Sequence, residues 1–256
     1  MCILDFSLKN CYIVFMRYHR FFVAPQMLLG RIAKIEDPEI VKQISKVLRL
    51  QLGEEIILLD GDGFEYVVRL LKIGAHEVQG EILKRHINQN EPLLKITLFQ
   101  ALIKKDNFEW ALQKCTEVGV NSFVPLKCER TEKENINAER LKRILRETAE
   151  QSARAVVPQL QEAQDFSRAL RRAVLLQAPS IILHPQGEPI KDFYKNKDLF
   201  EVNIFVGPEG GFTDVELDVA RELRAEGKEV HIVSLGSRIL RAETAGLVAT
   251  AVLLSR

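Results

Sequence analysis

The stretch LGSRILRAETAGLVATAVLL, residues Leu235–Leu254, is the most specific part of this sequence. A glycine turn leads into a predicted helix whose small residues recur at spacings of three and four, at Ala242, Ala245, Gly246, Ala249 and Thr250. This spacing places them on one helix face, which another helix can approach closely. The pattern is compatible with a buried terminal helix and equally with a subunit interface.

Upstream of this stretch, three apolar runs with the character of buried strands end in glycine or proline. They are Ser180–His184, Val202–Val206 and Glu229–Leu235, and helix-like stretches separate most of them. Alternating strands and helices predict an α/β domain with a mainly parallel sheet. Ligands bind beyond the carboxyl ends of such strands, although glycine and proline also simply tighten short connections. We expect a ligand site at the turns that follow, His184-Pro185, Gly207-Pro-Glu-Gly-Gly211 and Leu235-Gly236.

The common phosphate-binding and hydrolase motifs are absent from the sequence. Gly61-x-Gly63 lies in a predicted hairpin rather than before a helix, so it does not satisfy the dinucleotide-binding fingerprint. There is no G-x-x-x-x-G-K-[ST], no G-x-S-x-G and no H-E-x-x-H. The site therefore suits a ligand that is held by neutral backbone groups and apolar walls.

The first part of the chain has the pattern of a small β-barrel. Glu55–Asp60 and Phe64–Leu70 are predicted strands joined by the hairpin turn Gly61-Asp62-Gly63, and Val78–Leu83 is a third strand. Short strands separated by turns that contain glycine are typical of small barrels. Apolar residues at helical spacing predict a helix over Glu39–Leu50.

A polar stretch ending in proline, Arg85–Pro92, is the predicted linker. Beyond it we predict strands at Lys95–Leu102 and Ser122–Leu126, a helix at Phe108–Val118, and a long helix at Ala138–Ala155 that Pro158 ends. The predicted division is an N-terminal extension of undecided status at 1–15, a barrel domain at 16–87 and an α/β domain at 92–256.

Composition excludes several classes of protein. The 256 residues carry 36 Lys and Arg against 35 Asp and Glu, so composition does not indicate a strongly basic nucleic-acid binder. Four irregularly spaced cysteines predict neither a metal site nor disulfides, which favours the cytoplasm. The longest apolar stretch, Ala245–Leu254, has about half the roughly 20 residues of a membrane-spanning helix. We expect no signal peptide, and translation can begin at Met1 or at Met16.

Six blocks of the sequence resemble the RsmE family, which are SPOUT-class methyltransferases that modify N3 of a uridine in 16S ribosomal RNA. The resemblance extends over Met16–Arg256, and its two C-terminal blocks are highly specific. The blocks are MRYHRFFV (Met16–Val23), KVLRLQLGEEIILLDGDGFEY (Lys46–Tyr66), KCTEVGV (Lys114–Val120), ETAEQSARAVVP (Glu147–Pro158), VGPEGGFTDVE (Val206–Glu216) and LGSRILRAETA (Leu235–Ala245).

The resemblance implies a PUA-like RNA-binding β-barrel followed by a SPOUT α/β domain with a deep trefoil knot. It implies S-adenosyl-L-methionine as cofactor, uridine 1498 of 16S rRNA in the small ribosomal subunit as substrate, and a homodimer formed through the C-terminal helix. Ser237 and Ala242 stand where the family usually has proline and threonine. The implied cofactor residues are Leu183, His184, Gly207, Pro208, Glu209, Gly210, Gly211, Leu235, Gly236, Ile239, Leu240 and Arg241.

Attack of uridine N3 on the methyl group requires loss of the N3 proton, so a carboxylate base is expected. The residues Glu147, Glu150, Gln151 and Arg154 share one face of the predicted helix, which fits either a solvated surface or an active-site face. Arg154 is the expected group to orient the base or stabilise charge on uracil oxygens. The candidate bases are Glu150, Glu209 and Glu243, of which the last can instead pair with Arg241 or cap its helix.

Basic residues interleaved with aromatic ones near the start of the chain predict an RNA-binding patch, since cations bind phosphates and rings stack on bases. The candidates are Arg17, Tyr18, Arg20, Phe21, Lys46 and Arg49. Two other functions remain open at this point. One is a SPOUT methyltransferase acting on another RNA site or on ribose 2′-O, and the other is a non-catalytic RNA-binding protein of ribosome assembly.

Overall fold

A computed structural model describes residues 18–132, 136–195 and 198–255. The chain forms two compact units. The first comprises the described residues up to Glu91 together with Ala149–Val157, and the second comprises the rest. The predicted RNA contact Arg17, the alternative start Met16, and Cys2 and Cys11 lie outside the described residues.

The described residues of the first unit form five strands, a 3₁₀-helix at Pro25–Leu28 and one short α-helix that continues into a π-helical turn. The five strands lie in one sheet in the order β1-β3-β4-β5-β2, in which β1 and β3 are parallel and the other neighbours are antiparallel. Their bounds are β1 Arg20–Phe22, β2 Ile32–Ile35, α1 Pro38–Lys42, β3 Glu55–Leu59, β4 Phe64–Ile73 and β5 Val78–Ile87.

The predicted hairpin is confirmed, with Leu58 opposite Tyr66 in its register. The third strand is longer than predicted, because β5 continues to Ile87. The predicted linker was therefore wrong over its first three residues, which pair with β4. The sheet encloses an apolar core that includes Phe21, Ile35, Ile44, Ile56, Leu58, Val68 and Leu70.

The predicted helix Glu39–Leu50 ends earlier than its apolar spacing indicated. After α1 the backbone continues as a π-helical turn over Gln43–Val47, closed by a hydrogen bond from Leu48 N to Gln43 O of 2.8 Å. Arg49 then adopts a positive φ of 53°, which is incompatible with a helix and uncommon for a residue with a side chain. The apolar residues at helical spacing continue to Leu50, whereas the regular helix ends at Lys42, so the spacing alone predicted too long a helix.

The second unit alternates strands with helices. It contains β6 Lys95–Ala101, α2 Lys105–Val118, β7 Ser122–Lys127, α3 Ala138–Gln151, β8 Gln159–Leu160, β9 Gln164–Asp165, α4 Phe166–Leu175, β10 Ser180–Pro189, α5 Ile190–Tyr194, β11 Glu201–Val206, α6 Asp214–Ala225, β12 Val230–Ser234 and α7 Ala242–Leu254. The last residues of α3, from Ala149 onward, belong to the first unit.

The strands of the second unit form a sheet in the order β12-β10-β11-β6-β7-β8, with β9 also beside β7. Every neighbouring pair is parallel, so the predicted parallel sheet is confirmed. Stacked Phe99 and Phe205, with ring centroids 4.2 Å apart, lie in its core.

The strand predicted at Ser180–His184 runs further, as β10. Leu183 and Glu188 both pair with Val233, so the four residues between them bulge out of the sheet. A Cβ atom on Gly187 would lie 2.5 Å from the Val233 backbone, and the bulge therefore requires glycine there. His184-Pro185, predicted to be the turn that ends the strand, is instead the start of this bulge.

The small residues of α7 pack within their own unit. Gly246 is buried, and a Cβ atom there would lie 3.0 Å from Gln100 Oε1 and 3.6 Å from Val206. Ala249 and Thr250 are fully buried. The close approach that the spacing predicted is made within this unit, to the sheet at Gly246 and to helix α2 at Thr250, whose side chain hydrogen-bonds Cys115. Leu247, Val248 and Val252 on the rest of the helix are half-buried.

The predicted helix Ala138–Ala155 was too long, since α3 ends at Gln151. Ala153 has a φ of 58°, and Arg154 N donates to Ala149 O at 2.9 Å, which closes the helix end. Arg154 is therefore not on the helix face that carries Glu147 and Glu150, contrary to the expectation from spacing.

Polar groups of the first unit hold this chain reversal in place. Both oxygens of Glu91 accept from the Arg154 guanidinium, at 2.8 and 3.3 Å, and one also accepts from the backbone N–H groups of Ala155 and Val156. The side chain of Asn88 bridges Glu65, at 2.7 Å, and Ala153 O, at 3.0 Å. Because Asn88 and Arg154 are buried, these bonds satisfy groups that would otherwise be costly to bury.

We predict that Glu91→Gln lowers the free energy of unfolding by about 3 kcal/mol, because it leaves the buried Arg154 guanidinium without its carboxylate. Urea denaturation measures this loss. Glu36→Gln, at an exposed position of the same unit, is the matched control and should change the free energy by less than about 0.5 kcal/mol. Equal stability of the two variants would contradict the structural role of the ion pair.

Candidate cofactor site

Three loops of the second unit meet at one edge of its sheet. They are the bulge after Leu183, the loop Gly207–Phe212 after β11, and the loop Leu235–Arg241 after β12. Because β12, β10 and β11 are parallel neighbours, their carboxyl ends lie at the same edge. The loops surround a pocket of about 480 Å³, within the range of small-molecule sites.

All twelve residues predicted to bind cofactor line this pocket. They are Leu183, His184, Gly207, Pro208, Glu209, Gly210, Gly211, Leu235, Gly236, Ile239, Leu240 and Arg241. The expected convergence of the three strand ends is therefore present in the structure. Ala242, which stands where the family usually has threonine, also lines the pocket.

Glycines let the loop backbones form the pocket wall. Gly211 and Gly236 have φ values of 70° and 114°, a region that residues with a side chain rarely adopt. A Cβ atom on Gly207 would lie 3.2 Å from the ring of Phe212, which packs under the loop. The pocket thus presents backbone N–H and C=O groups beside apolar side chains, as the sequence predicted.

The residue His184 forms a local hydrogen bond at the pocket. Its Nδ1 accepts from Gln186 N at 3.2 Å, which holds the imidazole across the bulge of β10. A neutral ring in this arrangement carries its proton on Nε2. His184 therefore shapes the bulge and lines the pocket at once.

A buried carboxylate that the sequence analysis missed anchors the loop after β11. Glu216 accepts from Thr213 N at 2.8 Å while the Thr213 hydroxyl accepts from Glu216 N, which is a capping box at the start of α6. The second oxygen of Glu216 accepts from Glu129 N at 3.0 Å. The motif T-x-x-E at 213–216 is the signal that could have identified this residue.

The segment after β7 contacts this loop from the other side. Thr213 Oγ1 donates to Glu129 at 2.8 Å, and Arg130 donates to Gly210 O at 2.7 Å. Cys128, at the start of the segment, is buried. Burial and the nearby Glu216 carboxylate raise the pKa of the Cys128 thiol, so it is protonated at neutral pH.

The three candidate bases have different surroundings. Glu209 is exposed and lines the pocket. Glu243 is buried in the first turn of α7, where Oε2 has no hydrogen-bond partner in the described part of the chain. Glu150 lies in the first unit, and its Oε1 accepts from Phe22 N at 2.9 Å.

The predicted RNA-binding residues divide into buried and exposed ones. Phe21 is a core residue with 3% of its surface exposed. The prediction that its ring stacks on an RNA base was therefore wrong, because the ring is not on the surface. Arg20 is also buried, 3.8 Å from Glu65, and loss of hydration lowers its pKa. Tyr18 is half-buried and donates to Glu55 at 3.3 Å. Lys46 and Arg49 are exposed.

The described ranges contain no candidate for a membrane span or for a metal site. Between residues 18 and 255, leaving out 133–135 and 196–197, no helix is long and apolar enough to cross a membrane. The same residues contain no cluster of three or more His, Cys, Asp or Glu side chains that could hold a metal ion.

Comparison with known proteins assigns both parts of the chain. Residues 89–254 match an RNA methyltransferase domain family, and residues 31–83 match an RNA methyltransferase PUA domain family. The chain is 33% identical over 242 residues to ribosomal RNA small subunit methyltransferase E of Synechocystis sp., covering 93% of this chain and 77% of that protein.

The chain belongs to the RsmE family of RNA methyltransferases. A second member, from Rickettsia conorii, is 29% identical over 92% of this chain and 95% of its own. The crystal structure of the Neisseria gonorrhoeae member bound to S-adenosyl methionine superposes with a TM-score of 0.82 at 30% identity, covering 93% and 97% of the two chains. The predicted α/β fold with a PUA-like domain is therefore confirmed.

We predict that Glu216→Ala destabilises this family member by about 2 kcal/mol, because it removes the helix cap and leaves the Glu129 N–H without its acceptor. Thermal or urea unfolding measures the loss. Glu222→Ala, at an exposed position on the same helix, is the control and should be nearly neutral. If both variants unfolded at the same denaturant concentration as the unmodified protein, the anchoring role would be refuted.

Proposed function

We propose that this protein is an S-adenosyl-L-methionine-dependent methyltransferase that acts on N3 of a specific uridine in 16S ribosomal RNA. The observation that carries the proposal is the pocket of the second unit, which the twelve predicted loop residues line. Two findings on relatives support the proposal. The similar proteins are named ribosomal RNA small subunit methyltransferase E, and the Neisseria gonorrhoeae protein has S-adenosyl methionine bound.

The residues of the pocket fit this cofactor. Glycines at 207, 210, 211 and 236 leave backbone N–H and C=O groups accessible to an adenine ring and to the polar groups of the methionine moiety. Leu183, Leu235 and Leu240 supply apolar wall for the ring and ribose. The cofactor supplies a methyl group that its sulfonium has already activated, and no metal is needed for this chemistry.

The residue Glu209 is the proposed general base. Its carboxylate lines the pocket and is exposed, so a uracil that enters from solvent can reach it. Glu150 and Glu243 do not line the pocket. Removal of the N3 proton makes the nitrogen lone pair available for attack on the methyl group. Proton abstraction by a positioned carboxylate such as Glu209 is worth about 10²–10⁴-fold in rate.

The residue Arg154 has a structural role that is already visible. Its guanidinium is 2% exposed and paired with Glu91, and we propose that it serves the reaction by holding the segment Ala149–Val157 in the first unit. Direct contact between Arg154 and uracil oxygens stays a prediction. The exposed Lys46 and Arg49 are the proposed phosphate contacts of the PUA domain.

The finer features of the family are proposals for this chain. We propose a trefoil knot in the second unit and a homodimer that uses α7, whose half-buried Leu247, Val248 and Val252 offer apolar surface. The substrate is 16S rRNA in the small ribosomal subunit, which places the reaction in the cytoplasm.

We predict that Glu209→Gln lowers kcat by about 10²-fold or more and leaves the dissociation constant of S-adenosylmethionine within about threefold, because the amide retains the shape but cannot accept the proton. Calorimetric titration and a methyl-transfer assay measure the two quantities. Glu201→Gln, an exposed position where β11 begins, is the control. Unchanged kcat in Glu209→Gln would remove this residue from the mechanism.

The reaction itself is tested on small ribosomal subunits from a strain that lacks the protein. Purified protein and methyl-labelled S-adenosylmethionine are added, and the labelled nucleoside is identified after digestion of the RNA. We expect label in 3-methyluridine at one site. Label in a 2′-O-methylated nucleoside would overturn the target, and absence of both label and cofactor binding would support a non-catalytic role in ribosome assembly.

A further inference from the structure

A guanidinium from outside the three pocket loops reaches one of them. Arg130 follows β7, and its Nη1 donates to the carbonyl oxygen of Gly210 at 2.7 Å. Arg130 also lines the pocket. The proposed mechanism does not use this residue.

The side chain of Arg130 occupies the space beside the loop that glycine leaves open. A Cβ atom on Gly210 would lie 3.2 Å from Arg130 Cδ and 3.5 Å from its Cβ. The φ of Gly210 is not in the left-handed region, so the backbone itself does not require glycine. The absence of a side chain at 210 is therefore explained by the approach of Arg130.

The backbone that carries Arg130 is itself held in place. Cys128 N donates to Thr131 Oγ1 at 2.9 Å, and Thr131 N donates back to Cys128 O at 3.0 Å, which forms a closed turn. Glu129 joins this turn to Thr213 and Glu216 beyond the loop. The guanidinium thus extends from an anchored turn to Gly210, the fourth residue of Gly207–Gly211.

We propose that Arg130 is a positioning residue that latches the Gly207–Gly211 loop in its binding conformation and so sets the affinity for S-adenosylmethionine. This proposal rests on the proposed function. Four of the five loop residues are Gly or Pro, so few of the loop's own side chains can hold it in place. A charge-assisted hydrogen bond to the Gly210 carbonyl restricts the loop before binding, so the loop loses less conformational entropy when the cofactor binds.

The experiment measures cofactor affinity and loop protection in the full-length protein. Arg130→Ala should raise the dissociation constant and the KM of S-adenosylmethionine about tenfold, with kcat at saturating cofactor within about threefold. Arg130→Lys, which retains a charged donor, should recover part of the affinity. Arg171→Ala, an exposed arginine on α4, is the matched control and should bind as the unmodified protein does.

A second pair of variants separates latching from general stability. Gly210→Ala should displace the Arg130 stem and raise the dissociation constant about threefold, and in the Arg130→Ala background the same change should add nothing. Hydrogen exchange of the 207–213 peptide without cofactor should accelerate in Arg130→Ala while peptides of β6 and β11 remain protected.

The outcomes separate the two proposals. Arg130→Ala that binds S-adenosylmethionine within twofold of the unmodified protein, with unchanged loop exchange, overturns the latch and leaves the proposed function intact. Unmodified protein that binds no S-adenosylmethionine overturns the proposed function and the affinity claim with it. If Arg130→Ala fails to fold, Arg130→Lys and Gly210→Ala decide the question, and unaltered affinity in both contradicts the latch.

Discussion

The parallel register of three adjacent strands is the constraint on which the site depends. Because β10 lies between β11 and β12 and all three run in the same direction, the chain must leave the sheet three times at one edge. Each exit is built from residues that allow close approach of backbone, namely the bulge at Gly187 and the turns at Gly207–Gly211 and Gly236. The pocket is the space between the three loops that follow these strands. The strand order that defines the fold therefore also forms the site.

The loops of the pocket were predictable because their chemistry is local. Glycine and proline clusters after apolar strands are visible in sequence, and parallel topology then brings them together. The surrounding supports were not predictable in the same way. Arg130 contacts Gly210 O, 80 residues away in the sequence, and no local spacing indicates this contact. The capping box of Glu216 is visible as T-x-x-E, but its hydrogen bond with Glu129 N, 87 residues away, is not.

In the first unit, several residues whose sequence pattern indicates a surface position are buried. Its polar residues Asn88, Glu91 and Arg154 resemble a linker and a solvated helix face, yet they form buried hydrogen bonds around a chain reversal. The reversal depends on a positive φ at Ala153, where helix propensity favours continuation. Phe21 likewise is an aromatic residue among basic ones, a pattern typical of base stacking, but it lies in the core of the first unit. Burial of this kind is decided by tertiary packing, which overrides local pattern.

A crystal structure of the protein grown with S-adenosylmethionine would show directly whether the cofactor occupies this pocket. We expect electron density for the cofactor between the loops Gly207–Gly211 and Leu235–Arg241, with its polar atoms bonded to loop backbone groups. Cofactor density at any other place on the second unit, with these loops free of it, would contradict the claim that the three strand exits form the binding site.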